Sequence, residues 1–220
     1  MITSNEMLLV KSGTIDGYDL YRKHYEEFTF KELQEINNAW DKIYPTRKFF
    51  HPDIALKCLK LIISETDESD INVVELGCNQ GQLAKILLSF IEIKRYDGYD
   101  ICESALKRSV VYDNRYKTIL LKNHFVHYDN LAGINLFIST HTLEHLSEKE
   151  VTDLLFKIKD IEYFLFEVPL IASGESWEKD LSSHVLKSGR DWLHNEIKKV
   201  GHELIYQEHH TTLWKKISDV

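Results

Sequence analysis

The chain has 220 residues, enough for one sizeable hydrophobic core, and its 43% hydrophobic and 28% charged residues are typical of a folded domain. Its 35 acidic side chains outnumber the 27 basic ones, giving a formal net charge of −8. This balance argues against a dedicated nucleic-acid-binding protein, because phosphate binding needs a basic surface. Apolar runs such as residues 86–91 are too short to cross a bilayer, and the first residues lack a secretory-signal pattern. We therefore expect a cytoplasmic protein without membrane insertion.

The N-terminal third has a helical pattern. Residues 19–44 carry apolar side chains at helical spacing, and a second helix is predicted to begin at Pro52, a favourable first-turn residue. The predicted buried stripe of this second helix consists of Ile54, Cys58, Leu59, Leu61 and Ile62. A polar, acidic segment, residues 65–70, then separates this region from the rest. We divide the chain into a helical N-terminal extension or lid, residues 1–65, and a main domain, residues 70–220.

The main domain alternates short apolar runs with amphipathic helical patterns. Strands are predicted over residues 71–76, 96–100, 118–121, 135–139 and 163–167, and a closing strand pair over residues 202–207 and 212–217. Helices are predicted over residues 82–91, 103–111 and 188–200, and one further helix begins after Ser147, with Glu150 at the capping-box spacing. This alternation indicates an α/β doubly wound sheet of seven strands, mostly parallel with an antiparallel C-terminal pair.

The turn after the first strand is the most informative segment. Glu75 lies near the strand end, Gly77 and Gly81 lie in the turn, and Asp100 ends the next strand. Ligands of such sheets bind at the carboxyl ends of the strands, and an acid in the position of Asp100 accepts hydrogen bonds from ribose hydroxyls. The spacing of the glycines differs from a dinucleotide fingerprint and from a P-loop. The alternative is that the glycines form only a tight turn between strand and helix. The presence of Glu75 and Asp100 favours a ligand-binding loop over this alternative.

These residues resemble the motifs of the class I S-adenosylmethionine-dependent methyltransferases. Glu75-x-Gly77-x-x-x-Gly81 is similar to the first motif of that family and Gly98–Ile101 to the second. Residues 138–146 resemble the strand-four segment of its small-molecule and sugar branch, and residues 201–205 resemble its closing passage from helix to strand. The resemblance covers residues 70–217 and implies a Rossmann-like fold with S-adenosylmethionine as the cofactor.

The resemblance also implies cofactor contacts. The turn, with Gly77, Cys78, Asn79 and Gly81, would carry the methionine portion, and Glu75 would lie near its amino group. Many family members have glycine where this chain has Asn79. Asparagine tolerates positive φ better than most residues, so we expect the turn to be preserved.

The adenosine end of the cofactor has its own predicted contacts. Asp100, followed by Ile101, would hold the ribose hydroxyls, and Asn123 would address adenine, with His124 as the second choice. Cys78, which flanks the turn, is expected to pack as a small side chain and not to act as a nucleophile.

Three histidines are candidates for a base that deprotonates the acceptor. His141 follows the fourth strand directly and would also lie beside the cofactor, His145 comes four residues later, and His184 follows the fifth strand. Each has a structural alternative: loop packing for His141, a turn feature for His145 and a surface loop for His184. His141, Glu144 and His145 could also ligate a divalent metal, but His141 replaces an acid of the metal-binding family members, so we predict no metal.

The predicted function is methyl transfer to a small-molecule or sugar acceptor at oxygen. The alternatives are N-methylation of a small amine, and a partner subunit that binds S-adenosylmethionine without catalysis. Tyrosines of the N-terminal third, with Arg47, could form a lid over the acceptor or pack on the sheet. The sequence does not decide whether the protein is a monomer or a homodimer.

Overall fold

The computed structural model describes residues 51–66, 70–121, 131–169, 186 and 188–218. The predicted helix over residues 19–44 and most of the proposed lid lie outside this part of the chain. The five α-helices of the described part are α1 Pro52–Thr66, α2 Gln82–Phe90, α3 Glu103–Leu106, α4 Glu148–Ile158 and α5 Arg190–Lys199. The strands are β1 Ile71–Leu76, β2 Ile93–Asp100, β3 Tyr116–Leu120, β4 Leu136–Thr140, β5 Tyr163–Glu167, β6 His202–Glu208 and β7 Thr211–Lys216. No helix in these ranges is long and apolar enough to span a membrane.

The seven strands form one sheet in the order β3-β2-β1-β4-β5-β7-β6. Strands β1 to β5 pair in parallel, whereas β7 runs antiparallel to both β5 and β6. This arrangement confirms the predicted mostly parallel sheet with an antiparallel C-terminal pair. The order reverses between β1 and β4, which creates the crevice at the carboxyl ends of the strands where such folds bind ligands.

A separate hydrophobic core covers each face of the sheet. Successive strand residues point to opposite faces, so Val73 packs with α1 and α2 while Val74 packs with α4 and α5. Helix α1, which the prediction assigned to the N-terminal extension, thus contributes to the same core as β1. Leu61 lies at the edge of its buried stripe and is 37% exposed, which corrects its predicted burial.

Most predicted boundaries agree with the structure to within a few residues. The capping box of α4 is present, since the Ser147 side chain accepts from the Glu150 N–H and the Glu150 carboxylate accepts from the Ser147 N–H. The predicted helix over residues 103–111 is wrong beyond α3. The Val110 N–H donates to the Gln80 carbonyl at 2.9 Å, so the chain turns back onto the β1–α2 loop.

Candidate functional site

The carboxyl ends of the parallel strands bring the candidate residues to one edge of the sheet. Glu75 precedes the end of β1 and pairs with Gly98 of β2, two residues before Asp100. On the other side, Thr140 and Glu167 are paired at the ends of β4 and β5. The site therefore has two halves, one built on β1 and β2 and the other on β4 and β5.

The β1–α2 loop has three residues with left-handed backbones. Gly77 and Gly81 both have φ of 80°, and Asn79 has φ of 50°. The N–H groups of Gly77 and Cys78 donate to the Tyr99 carbonyl at 2.8 and 3.1 Å, which ties the loop to the end of β2. The prediction that asparagine preserves the turn is confirmed, because Asn79 adopts the positive φ that glycine would supply.

The two glycines make room for neighbouring side chains. A Cβ atom added at Gly77 would lie 1.8 Å from Thr142 Oγ1, and one at Gly81 would lie 2.7 Å from Val111 Cγ2 and 2.8 Å from the Tyr116 hydroxyl. Gly81 thus allows the β1–α2 loop to pack closely on Val111 and Tyr116. The space beside Gly77 is taken by Thr142, so its missing side chain brings the loops after β1 and β4 together.

Asp100 is fixed by backbone donors. Its Oδ2 accepts from the Asn79 N–H at 2.8 Å, and its Oδ1 accepts from the Cys102 N–H at 2.7 Å. Burial raises the pKa of Asp100, although these hydrogen bonds act in the opposite direction. The Ile101 backbone N–H is a third donor to this carboxylate. A carboxylate has about four lone-pair sites, so Asp100 can still accept a hydrogen bond from a ligand. The Ile101 side chain packs in the hydrophobic core with Leu76.

Glu75 lies deeper than Asp100. It is 2% exposed, and its Oε2 accepts a hydrogen bond from the Tyr96 hydroxyl at 2.8 Å. Burial raises the pKa of Glu75 to about 7, the Tyr96 hydrogen bond opposes this, and the charge of Asp100 adds to it. Within the described residues, no basic side chain bonds to either carboxylate. As far as the structure describes the chain, this half of the site therefore has two buried acids and no cation bonded to them.

Cys78 is a packing residue of this half. Its thiol is buried, and burial raises its pKa well above the ordinary value, with the charge of Asp100 adding to the shift. A Cβ atom added at Gly98 would lie 2.8 Å from Cys78 Sγ. The thiol therefore fills the space beside Gly98 in its protonated form, in line with its predicted packing role.

His141 is held between two carboxylates. Its Nε2 lies 3.2 Å from Glu167 Oε1, and its Nδ1 lies 3.5 Å from Glu144 Oε1. Burial would lower the pKa of His141, but the hydrogen bonds to Glu144 and Glu167 outweigh it and raise the pKa to about 9. Both ring nitrogens face acceptors, so the ring is an imidazolium near neutral pH. This state conflicts with the predicted role of His141 as a base, because an imidazolium has no lone pair for a proton.

His51 also binds Glu167, a contact that was not predicted from the sequence. The Nδ1 atom of His51 lies 2.6 Å from Glu167 Oε1, and the His51 backbone N–H donates to Glu167 Oε2 at 3.0 Å. The His51 carbonyl accepts from the N–H groups of Ile54 and Ala55, so His51 begins helix α1. Burial would raise the pKa of Glu167, but the hydrogen bonds from His141 and His51 outweigh it and lower the pKa. The only signal in the sequence is a histidine before a helix-starting proline.

The remaining predicted site residues are His145, Asn123, His124 and His184. His145 lies in the 3-10 turn Leu143–His145, where its N–H donates to the Thr142 carbonyl at 3.0 Å. Asn123, His124 and His184 lie outside the described residues. Among the residues that the structure describes, no group of three histidine, cysteine or acidic side chains is arranged to hold a metal ion.

Comparison with known proteins establishes the fold. No family model matches the sequence, and no curated protein matches it significantly. Magnesium protoporphyrin IX methyltransferase from Synechocystis PCC 6803, solved with bound S-adenosylhomocysteine, is similar with a TM-score of 0.59 and 10% identity over 86% of this chain and 99% of that chain. The methyltransferase domain of bacterial CtHen1 gives 0.53 and 15% identity over 74% and 96% of the two chains.

Human N-acetylserotonin methyltransferase, solved with S-adenosylmethionine, gives a TM-score of 0.53 and 16% identity over 66% of this chain and 47% of that chain. The chain thus spans about half the length of that human enzyme. At these identities the likeness concerns the fold. The protein has the Rossmann-like fold of the class I S-adenosylmethionine-dependent methyltransferases.

Proposed function

We propose that the protein is an S-adenosylmethionine-dependent methyltransferase that acts at an oxygen atom of a small-molecule or sugar acceptor. The observation that carries the proposal is the pair of buried acids, Glu75 and Asp100, on neighbouring strands beside the left-handed loop. The pKa of each acid is raised by burial, and neither is bonded to a basic side chain of the described residues. A ligand that brings positive charge and hydroxyl donors to this edge would stabilise both carboxylates.

The residues present fit S-adenosylmethionine. Asp100 could accept from the ribose hydroxyls, since its oxygens are already oriented by the N–H groups of Asn79 and Cys102. Glu75 is almost inaccessible, so it would act on the cofactor ammonium mainly through its charge. When bound, the cofactor supplies an activated methyl group on a positively charged sulfur. Asn123 keeps its proposed adenine contact.

The proposed acceptor class draws support from charge and from the neighbours. The net charge of −8 disfavours a polyanionic acceptor. Two of the similar structures are named for small-molecule methylation, of magnesium protoporphyrin IX and of N-acetylserotonin. We also propose a cytoplasmic location, in keeping with three cysteines that are all free and buried.

His141 has a positioning role in this proposal. As an imidazolium between Glu144 and Glu167, it holds the ends of β4 and β5 together and cancels one of their two negative charges. Its backbone N–H donates to the Glu167 carbonyl at 2.8 Å, which fixes the position of the following residue, Thr142. Thr142 in turn lies against Gly77 of the proposed cofactor loop.

Isothermal titration calorimetry with S-adenosylmethionine and S-adenosylhomocysteine tests the proposal on the full chain. We expect both to bind the wild type and Asp100→Asn to bind at least tenfold more weakly, since a hydrogen bond to a charged group contributes about 1.5–3 kcal/mol. Asp153→Asn, which changes an exposed acid of α4, serves as the control and should bind within twofold of wild type. Failure of the wild type to bind either compound would end the proposal.

A further inference from the structure

Glu167 holds the imidazole and the backbone of His51 at the same time. Its Oε1 lies 2.6 Å from His51 Nδ1, and its Oε2 accepts from the His51 N–H at 3.0 Å. The Glu167 side chain is only 3% exposed. Glu167 is the last residue of β5 and is paired with Thr140 of β4. Two contacts from one rigid carboxylate fix both the ring orientation and the backbone of His51.

These contacts select one tautomer of the His51 ring. The hydrogen bonds from His141 and His51 stabilise the ionised form of Glu167, which can only accept. The neutral His51 ring must therefore carry its proton on Nδ1, which leaves the lone pair on Nε2. The side chain is 54% exposed, and among the described residues Nε2 has no hydrogen-bond partner. His51 thus presents a basic nitrogen to solvent at the carboxyl end of β5.

His51 and His141 share the same carboxylate but differ in what they can do. His141 has a carboxylate at each ring nitrogen, so both nitrogens donate. His51 has a carboxylate at Nδ1 alone, and its nearest described aromatic neighbour is the His209 ring, 6.1 Å away between centroids. Only His51 can both keep a fixed orientation and take up a proton.

Glu167 and the proposed cofactor loop are connected by a short path. Thr140, paired with Glu167, has its carbonyl hydrogen-bonded by Thr142 Oγ1 at 3.1 Å, and Thr142 fills the space beside Gly77. The His51 ring therefore lies on the β5 side of the edge at which the proposed cofactor would bind. An acceptor placed between the proposed cofactor loop and His51 would have one side toward the loop and the other side toward the His51 ring.

We propose that His51, oriented by Glu167, is the general base that deprotonates the acceptor. This inference rests on the proposed function. The acceptor proton moves to His51 Nε2, and the acceptor atom forms a bond to the methyl carbon. The bond between that carbon and sulfur breaks, with its electron pair passing to sulfur, and neutral S-adenosylhomocysteine leaves. His51 then releases the proton to solvent.

The decisive measurement is the tautomer of His51, which needs no acceptor. Nitrogen-15 NMR of the full chain, labelled at histidine and mixed with S-adenosylhomocysteine at pH 8, should show the proton of the neutral ring on Nδ1. In Glu167→Gln, the His51 backbone N–H keeps the amide oxygen opposite itself, so the amide NH₂ faces Nδ1 and the proton should move to Nε2. A wild-type ring protonated on Nε2, or a tautomer unchanged in Glu167→Gln, would overturn the inference.

Turnover gives the second readout, measured as S-adenosylhomocysteine release with a panel of phenols, sugars and amines. His51→Gln should bind S-adenosylhomocysteine within twofold of wild type but lose at least about 100-fold in kcat, the usual contribution of a general base. His209→Asn, which keeps a residue tolerant of the positive φ at position 209, should stay within threefold. Unchanged turnover in His51→Gln would overturn the role of His51, whereas a wild type that binds no S-adenosylmethionine would overturn the proposed function instead.

Discussion

The two halves of the site treat buried acids in opposite ways. At the ends of β1 and β2, burial raises the pKa of both Glu75 and Asp100, and no basic side chain of the described residues bonds to them. At the ends of β4 and β5, His141 lies between Glu144 and Glu167, and the pKa of Glu167 is lowered. In the described part of the chain, the acids of the first half have no bonded cation, whereas those of the second half have His141.

This difference indicates which half of the site binds a ligand and which half has a structural role. A buried carboxylate without a partner costs stability, and the cost falls when a ligand brings the missing charge or donors. A buried carboxylate that already has an imidazolium gains little from a ligand. We infer that the ligand binds at the half built on β1 and β2, and that the half built on β4 and β5 is a scaffold. On this scaffold, His51 is the group whose Nε2 is accessible to a ligand.

Removal of the internal cation should have the largest effect. His141→Gln leaves Glu144 and Glu167 without their imidazolium, and loss of one partner of a buried pair costs about 3–5 kcal/mol. Urea denaturation at pH 7 should detect a loss of this size. The control His209→Asn should change the free energy of unfolding by less than about 1 kcal/mol.

The same variant should also lose a pH dependence. The folded pKa of His141 is about 9, above its ordinary value of 6.5, so its contribution is fully present below pH 6.5 and is lost as the pH rises through 9. A shift of this size corresponds to roughly 3 kcal/mol. Wild-type stability should fall between about pH 6.5 and 9. A wild type with no more slope in this range than His141→Gln would contradict the placement of an imidazolium between Glu144 and Glu167.

The contact that joins the two halves can be broken at Gly77. Gly77→Ala combines a side chain at φ of 80° with a Cβ atom 1.8 Å from Thr142 Oγ1. Strain and overpacking together should cost about 3 kcal/mol or more. Gly133→Ala is the matched control, since Gly133 has φ of 74° but open space around its Cβ position, and it should cost only about 1–2 kcal/mol.

A second substitution separates the backbone strain at Gly77 from the overpacking against Thr142. Thr142→Gly in the Gly77→Ala background removes the overlapping atoms and leaves the strain, so it should recover the overpacking part, about 1–3 kcal/mol. The comparison uses Thr142→Gly alone as its reference. Equal losses in Gly77→Ala and Gly133→Ala would mean that the loops after β1 and β4 do not meet in this way.

The residues of the first half could be predicted to lie together from the sequence, whereas the contacts of the second half could not. Glu75, Asn79 and Asp100 lie within one β-α-β unit, so a local pattern places them together. Glu167 and His51 are 116 residues apart, and their contact depends on how the start of α1 meets the end of β5. The state of His141 depends on the pairing of β4 with β5, which residues near position 141 do not specify.

The smallest change in the free energy of unfolding is expected at Glu75, where the substitution should stabilise the protein and not destabilise it. The folded pKa of Glu75 is about 7, above its ordinary value of 4.5, so the stability linked to its proton is fully present below pH 4.5 and is lost as the pH rises through 7. Glu75→Gln has no proton to lose and can still accept from Tyr96. At pH 8 it should be more stable than the wild type by about 2–3 kcal/mol, and the gain should vanish near pH 4.5.

The same substitution should weaken S-adenosylmethionine binding about tenfold, because the amide no longer offers charge to the ammonium. Glu203→Gln, which changes an exposed acid of β6, should alter neither stability nor binding. Denaturation at pH 4.5 and pH 8 and calorimetry at pH 8 measure the two effects on the same samples. A Glu75→Gln variant that is less stable than the wild type at pH 8 would mean that the carboxylate of Glu75 is already compensated, and the contrast between the two halves would then fail.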